Sequence, residues 1–411
     1  MNTNVLRLLV IASICSFAYL CYCPSIRADA LYNWTTNQVS TNLFWLNKVA
    51  YGNGRYVAAG WSSCTDFGVA FTSEDGRNWT VRANGCTPSQ TPLGLIGLAH
   101  GEGTFVAVGW LGSIYSSSNG IDWVNRMWGP FYNFDSVAYG GGLFVAVGDG
   151  DLFSGGTTRT NIYTSPDGIT WTPRVSVAPP EEGRWILGVA FGAGKFVAVG
   201  YGGYSYTSTN GSTWNRNQIA SSDLSQVSFC NGLFFVPYGQ GVNLVSPDGL
   251  SWVSMTNDTQ VRFAEIVYGN GLYVAGGYSS TLDSVGILTS TNATNWVQRK
   301  LLPRSWGDIR SIAIGEREVV VLGMESSARP VAFVSDPFAG VTLNPGFPPL
   351  INVTGLEGRS YRVEHLPMLP ASATNPWQTL SNLVLPSSPF LIADPGAPNS
   401  AQRFYRAVLL P

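Results

Sequence analysis

The sequence is poor in charged residues. They make up 12% of the chain, about half the usual share, and lysine occurs only as Lys48, Lys195 and Lys300. The formal net charge is −2. This balance gives no electrostatic reason to expect nucleic acid or an anionic membrane as a partner.

Histidine and cysteine are also scarce. The two histidines, His100 and His365, argue against a metal site built from clustered histidines and leave little material for a Ser-His-Asp triad. Asp149-Gly150-Asp151 is a loop with two carboxylates, but such loops are more often solvated than calcium-bound. We therefore expect no metal and no cofactor, with calcium at this loop as the weaker alternative.

The first thirty residues resemble a secretory signal peptide. Arg7 ends a short basic region, Leu8–Cys23 is mainly apolar, and Ala28-Asp29-Ala30 offers small residues to a signal peptidase. A membrane anchor is the alternative, but the apolar run is short for a bilayer. We predict a signal peptide over 1–30, a secreted or cell-surface protein, and no membrane span after cleavage.

Cleavage at that point would leave three cysteines, Cys64, Cys86 and Cys230. Three thiols form at most one bridge, and an oxidising compartment allows it. The strand count below places Cys64 and Cys86 at one edge of the first repeat, so we predict a disulfide between them.

Glycine (47 residues) and aromatic residues (13%) are abundant, and they recur in a fixed pattern. Six segments contain Ser, then Asp or Asn followed by Gly (Ala293 in the last), then Trp; we call them the Asx hairpins. Their serines are 38 to 48 residues apart, the length of one four-stranded unit. The segments are Ser73–Trp79, Ser117–Trp123, Ser165–Trp171, Ser208–Trp214, Ser246–Trp252 and Ser290–Trp296.

A second motif, two strands joined by a Gly-rich turn, occurs seven times. Runs such as Phe144–Val147 are apolar at every position, so both faces of these strands are predicted to be buried. Radially packed sheets, or blades, bury both faces in this way. The copies are Lys48–Gly60, Leu98–Gly109, Val137–Gly148, Val189–Gly200, Val227–Gly239, Ile266–Gly277 and Ile312–Gly323.

The seventh unit lacks its last strand. Val331–Asp336 matches a third strand and its serine, but Pro337 and Phe338 end the unit without a tryptophan. Leu31–Thr36 is a last strand with nothing before it, and Trp34 fills the missing position. We predict an all-β chain: a seven-bladed β-propeller over 31–339 closed by this N-terminal strand, then a small β-sandwich-like C-terminal domain over 340–411.

The Asx hairpins resemble the Asp-box, or BNR repeat, of sialidase-like propellers, in a form one residue shorter. The C-terminal block, with Gly358–Glu364 and Arg403–Ala407, resembles a short β module that ends many exported proteins of environmental bacteria.

In the Asx hairpins, the Asp or Asn side chain can accept backbone N–H bonds across its own turn, and the Trp packs back on the hairpin. Because three copies have Asn, a charged metal ligand is not required. We predict structural roles for Asp75, Asn119, Asp167, Asn210, Asp248 and Asn292, and for Trp34, Trp79, Trp123, Trp171, Trp214, Trp252 and Trp296.

In the sialidase-like propellers that these hairpins resemble, the ligand site lies on the face opposite the hairpins. Strand counting brings the loops between second and third strands and the blade-to-blade connections to that face. They carry aromatic, arginine and carboxylate side chains that packing alone does not need. Our ligand-binding candidates are Trp128, Tyr132, Arg159, Arg184, Trp185, Arg262, Arg310, Asp135 and Glu182.

Two functions fit these residues. The first is an exported, non-catalytic binding or scaffolding propeller, expected to be a monomer, that takes carbohydrate or a cell-surface or peptide ligand on that face. The alternative is a sialidase-like glycoside hydrolase, since arginines and paired carboxylates are available. The Arg-Ile-Pro motif of sialidases is absent, and sialidases are six-bladed, so we favour a protein that is not an enzyme.

Overall fold

The structure is a computed structural model of the chain. It describes residues 9–13, 21–23, 31, 33–42, 44–62, 68–84, 94–128, 133–149, 162–174, 185–257, 259–327, 329–336, 340–344, 350–354, 360–366, 378–384, 390–393 and 402–409. The chain forms two compact units. One comprises Trp34–Tyr268 and Tyr273–Val334, and the other comprises Met1–Asn33, Gly269–Leu272 and Ser335–Pro411.

The larger unit is a seven-bladed β-propeller, as predicted. Each blade is a four-stranded antiparallel sheet, and in blades 1 to 6 the strands follow chain order. The first four blades are β4 (Phe44–Gly52), β5 (Arg55–Ser62), β6 (Gly68–Ser73) and β7 (Thr80–Asn84); β8 (Leu95–Gly101), β9 (Thr104–Gly109), β10 (Ile114–Ser117) and β11 (Val124–Met127); β12 (Phe134–Gly140), β13 (Leu143–Gly148), β14 (Ile162–Ser165) and β15 (Thr172–Arg174); and β16 (Ile186–Gly192), β17 (Lys195–Gly200), β18 (Tyr204–Ser208) and β19 (Asn215–Gln218).

Blade 7 is assembled from both ends of the repeat region, which confirms the predicted closure. Its outer strand is the N-terminal one. The last three blades are β20 (Ser228–Cys230), β21 (Leu233–Gly239), β22 (Val242–Ser246) and β23 (Val253–Thr256); β24 (Arg262–Gly269), β25 (Leu272–Ser279), β26 (Ser284–Ser290) and β27 (Val297–Pro303); and β28 (Gly307–Ile314), β29 (Val319–Glu325), β30 (Pro330–Ser335) and β3 (Trp34–Gln38).

Lys300 attaches this closing strand to blade 6. Its Nζ donates to Thr36 Oγ1 at 2.9 Å and to the Trp34 carbonyl at 3.3 Å, and it lies 5.0 Å from the centre of the Phe333 ring. Val39 N also donates to the Pro330 carbonyl at 3.0 Å. The closing strand is therefore held by side chains as well as by the sheet.

Apolar layers between blades form the core. The layer between blades 7 and 1 shows the pattern, with Val320 and Val334 of blade 7 packed with Tyr56 and Phe71 of blade 1. Both sides of these strands are covered, which explains their continuous apolar runs. Each blade thus depends on its neighbours for burial.

The innermost strands share an irregularity. A bulge interrupts the pairing of the first strand with the second between Leu46 and Lys48, and again at the matching positions of blades 2, 3, 4 and 7. A bulge turns the residues after it relative to those before it. It therefore decides which side chains reach the axis.

Three tight three-residue turns of the described chain lie beside these sheets: Trp110–Gly112, Tyr201–Gly203 and Arg304–Trp306. The first two follow second strands, and the third connects blade 6 to blade 7. All three belong to the connections that the strand count assigned to the face opposite the Asx hairpins.

The smaller unit contains two antiparallel sheets. The larger sheet has the order β2 (Cys21–Cys23), β1 (Leu9–Ser13), β36 (Gln402–Leu409), β33 (Ser360–Leu366) and β34 (Gln378–Val384), and the other has the order β31 (Gly340–Asn344), β32 (Leu350–Thr354) and β35 (Phe390–Ala393). Strands β1 and β2 belong to the segment that we predict a signal peptidase removes. Removal would leave β33, β34 and β36 of the larger sheet paired.

Candidate functional site

The Asx hairpins use the same hydrogen bonds whether the central residue is Asp or Asn. In blade 1, Ser73 Oγ donates to Asp75 Oδ1 at 3.0 Å, and the same oxygen accepts the N–H groups of Arg77 and Asn78 at 2.9 and 2.8 Å. In blade 2, Asn119 Oδ1 accepts the equivalent three bonds at 2.8 to 3.0 Å. One neutral oxygen is sufficient, so these residues act on the turn itself.

The tryptophans complete each hairpin. In the six hairpins, the indole N–H donates to the carbonyl three residues earlier, at 2.7 to 3.3 Å. The ring then packs between blades, as Trp214 does at 8% exposure. Trp34, which has no hairpin of its own, is 9% exposed.

The first turn of each blade lies on the same face as the Asx hairpins. Asn53, in the Gly-Asn-Gly turn of blade 1, donates through Nδ2 to the carbonyls of Gly103 and Ser118 in blade 2, both at 2.8 Å. Because strands alternate in direction, the loops between second and third strands and the connections between blades lie on the opposite face. We call this the loop face.

A row of three tryptophans crosses the loop face from blade 1 to blade 2. Trp45 and Trp61 stack with ring centres 5.7 Å apart and planes 8° apart. Trp61 contacts Trp110 at 5.2 Å and 43°. All three side chains are half-buried, so part of each ring meets solvent.

Arg310 extends this row into blade 7. Its guanidinium carbon lies 5.3 Å from the centre of the Trp45 ring, an attractive position for a cation over an aromatic face. Nη2 lies 3.4 Å from an oxygen of Asp308. The buried Nε has no hydrogen-bond partner among the described residues, so the donors of this group are largely unused.

Two carboxylates, Asp135 and Asp149, belong to blade 3, which the residue after Trp110 reaches through the bond from Leu111 N to Asn133 Oδ1 at 3.0 Å. Asp149 is buried and accepts bonds from the backbone and side-chain N–H groups of Asn133, the latter at 2.9 Å. Burial raises the pKa of Asp149, although these bonds oppose the shift. Burial, with a smaller contribution from the charge of Asp149, raises the pKa of Asp135 to about 7.

The other described candidates are separate from this group. Trp128 directly follows β11 and is 69% exposed. Trp185 is half-buried with its ring edge-on to Tyr201, at 4.8 Å, and Arg262 is exposed at the start of β24. Of the predicted site residues, Arg310 thus contacts the tryptophan row, and Trp128 lies in the blade where the row ends.

Several predictions fall on residues outside the described ranges. These are the ligand-binding candidates Tyr132, Arg159, Glu182 and Arg184, the calcium alternative at Asp151, and the disulfide between Cys64 and Cys86. Cys230, which we expected to be left over, is a buried free cysteine.

A polar network closes the axis of the propeller. Glu265 of blade 6 accepts bonds at 2.7 Å from Lys48 Nζ, Ser311 Oγ and Ile312 N, and at 3.3 Å from Gln226. These donors lie in blades 1 and 7 and beside blade 5, and a cavity of about 120 Å³ adjoins them. One carboxylate therefore connects four blades across the seam where the ring closes.

Sequence reasoning missed the tryptophan row. Trp45 and Trp61 lie inside strands, where a large aromatic residue is expected to be buried. The sequence indicated part of this arrangement. Trp45 lies near the start of β4 and Trp61 near the end of β5, so both lie at the end of this hairpin that is far from its turn. Pairing them required the bulge, which has no clear pattern in the sequence.

Among the described residues, no group of three or more His, Cys, Asp and Glu side chains is arranged to hold a metal ion. Within the same ranges, no helix has the length and apolar character needed to cross a membrane.

Comparison with known proteins supports the fold and leaves the family open. No protein family and no curated protein matches the sequence. Among solved structures, YCF48 bound to D1 peptide is similar with a TM-score of 0.54, at 14% identity, over 76% of this chain and 99% of that one. The WD40 propeller domain of Doa1 is similar with a TM-score of 0.51, at 14% identity, over 73% of this chain and 97% of that one.

YCF48 from Cyanidioschyzon merolae matches in the same way, with a TM-score of 0.51, at 13% identity, over 73% of this chain and 98% of that one. At such identities the likeness establishes the fold alone. The chain is a seven-bladed β-propeller followed by a small C-terminal β unit.

Proposed function

We propose that this chain is an exported, non-catalytic binding propeller whose loop face takes a peptide segment of a protein partner. The observation that carries the proposal is the row formed by Arg310, Trp45, Trp61 and Trp110. It combines a cation with unused donors and partly exposed aromatic surface on a rigid scaffold. Tryptophan and arginine are also the residues most enriched among energetic centres of protein interfaces.

The arrangement of the rings favours a peptide over a sugar. A sugar stacks on the open face of an aromatic ring, but Trp61 has Trp45 on one side and Trp110 near it on the other. Arg310 lies over Trp45. What the row presents is mainly ring edges and a guanidinium, which suit the side chains and carbonyls of an extended peptide. YCF48, of similar fold, was solved with a peptide bound, which supports the same ligand class.

The experiment is selection on the purified protein from a phage-displayed library of random dodecapeptides, beside a glycan array. We expect enriched peptides to bind the wild type and to lose about tenfold in affinity for Trp45→Ala. Trp123→Ala is the matched control, because Trp123 belongs to an Asx hairpin on the opposite face. It should lose stability and keep peptide affinity.

Three results would contradict the proposal. They are glycan binding without peptide enrichment, equal peptide affinity in Trp45→Ala, and turnover of fluorogenic sialosides or other glycosides by the wild type. The last would favour the hydrolase alternative. Export is tested separately: the protein recovered from the medium should begin at Leu31.

A further inference from the structure

Blades 2 and 4 carry the same turn at the same place on the loop face. In Trp110–Gly112 and Tyr201–Gly203, the last two residues both have positive φ. Trp110 N donates to the Gly94 carbonyl at 2.9 Å, and Tyr201 N donates to the Trp185 carbonyl at 3.0 Å. The two turns therefore share one backbone geometry.

The middle residue differs between them. Blade 4 has Gly202 at φ 69°, which costs little because glycine has no Cβ. Blade 2 has Leu111 at φ 50° and ψ 41°, a conformation that is strained for a bulky side chain. A side-chain oxygen holds each middle N–H: Asn133 Oδ1 at 3.0 Å for Leu111, and Asp223 Oδ1 at 2.9 Å for Gly202.

Packing explains the leucine only in part. The residue is 37% exposed, so more than a third of its surface remains in solvent although its backbone is strained. The other described non-glycine residues with positive φ are Asn, Asp, Glu, Gln and Ala, and none of them is a large apolar residue. Strained backbone positions of this kind tend to cluster at functional sites.

The position of Leu111 points to a ligand. It follows Trp110, the last ring of the row, and it lies in the blade that ends in the exposed Trp128. We propose that Leu111 is a specificity-determining contact for an apolar side chain of the bound peptide. This inference rests on the proposed function. Arg310, at the other end of the row, would face a polar or acidic part of the same peptide.

The test pairs affinity with stability in Leu111→Gly. We expect the melting temperature to rise by about 2 °C, because glycine relieves the strain. Dodecapeptides selected on the wild type should bind the variant about tenfold more weakly. They should carry an apolar residue at one fixed position, and selection on the variant should not enrich that residue. Leu111→Asn, which also tolerates positive φ, should behave in the same way.

Gly202→Leu is the matched control. It places the same side chain at the same backbone geometry in blade 4, where a Cβ would already lie 2.9 Å from Tyr204. We expect a lower melting temperature and unchanged peptide affinity.

The outcomes separate this inference from the proposed function. If the wild type enriches no peptide, the proposed function fails, and the inference fails with it. If wild type and Leu111→Gly select the same peptides with equal affinity, only the role of Leu111 is refuted. A lower melting temperature of Leu111→Gly would show that the leucine serves the fold, which also refutes it.

Discussion

Asp167 and Asp135 are both aspartates of blade 3, and they lie on opposite faces of the propeller. Asp167 accepts the backbone N–H groups of Ile169 and Thr170 at 2.8 and 2.9 Å, and these bonds lower its pKa. Burial raises the pKa of Asp135 to about 7. On the face of the Asx hairpins (the hairpin face), the turn itself stabilises the charged form of Asp167, whereas on the loop face the charged form of Asp135 is costly.

The two faces also differ in which residues adopt positive φ and in what their tryptophans contact. On the hairpin face, glycine occupies the positive-φ position of five of the six Asx hairpins, and alanine occupies the sixth. On the loop face, the strained Leu111 is retained. Each hairpin tryptophan donates its indole N–H to its own turn, whereas Trp45, Trp61 and Trp110 contact one another across two blades. Repetition on one face therefore serves stability, and variation on the other is available for binding.

The largest expected effect is on stability. Trp214→Ala should lower the free energy of unfolding by about 3 kcal/mol, because it leaves a cavity between blades and removes the indole hydrogen bond. Trp45→Ala, on the loop face, should cost about 1 kcal/mol, since that ring is only half-buried. Chemical denaturation of both variants measures the difference. Equal losses would break the contrast between the faces.

The second prediction concerns Asp135. A carboxyl whose folded pKa is raised destabilises the fold progressively as pH rises from its unfolded pKa, about 3.9, towards the folded value of about 7. Asp135→Asn cannot ionise, so it should be more stable than the wild type at pH 8 and equal to it near pH 3. A rise in pKa from about 3.9 to about 7 corresponds to about 4 kcal/mol, and because the residue is half-buried we expect about 2 kcal/mol of this. Denaturation curves at both pH values test this, and an equal stability at pH 8 would show that Asp135 is solvated.

The smallest effect, of opposite sign, is expected at Asp167. A lowered folded pKa gives stability that is present above the unfolded pKa and lost as pH falls through the folded value. Asp167→Asn keeps the accepting oxygen, as Asn119 shows in blade 2. The variant should match the wild type near neutral pH and lose less stability between about pH 5 and pH 2. Asn119→Asp should show the reverse, and an identical acid response of all three proteins would contradict the assignment.

The number of blades and the closing strand could be predicted because both are properties of local pattern. The Asx hairpins recur at one blade length, and each needs only its own few residues to form its turn. Trp34 was assigned to blade 7 by counting, since one hairpin lacked a tryptophan and one strand had no hairpin. Local turn chemistry and periodicity are sufficient for such inferences.

The site could be predicted only as a face. The sequence assigned Arg310 and Asp135 to the loop face, but it did not associate Arg310 with Trp45 or Asp135 with Asp149. Those contacts join different strands or different blades, and their separations along the chain carry no regular signal. The strain at Leu111 was likewise invisible, because a leucine in a loop looks the same in sequence at either sign of φ.

The bulge in β4 is an example of a feature that the tertiary structure decided and the local sequence did not determine. Counted from the turn at Asn53 and Gly54, regular pairing would place Trp61 opposite Leu46, so that the two tryptophans could not stack. The bulge after Leu46 instead pairs Trp61 with Trp45. Lys48, on the turn side of the bulge, keeps its regular pairing with Ala59 and meets Glu265 at the axis. Hairpins and blades follow from local chemistry. The register at the axis is set by the closure of seven blades around one centre, which no single repeat contains.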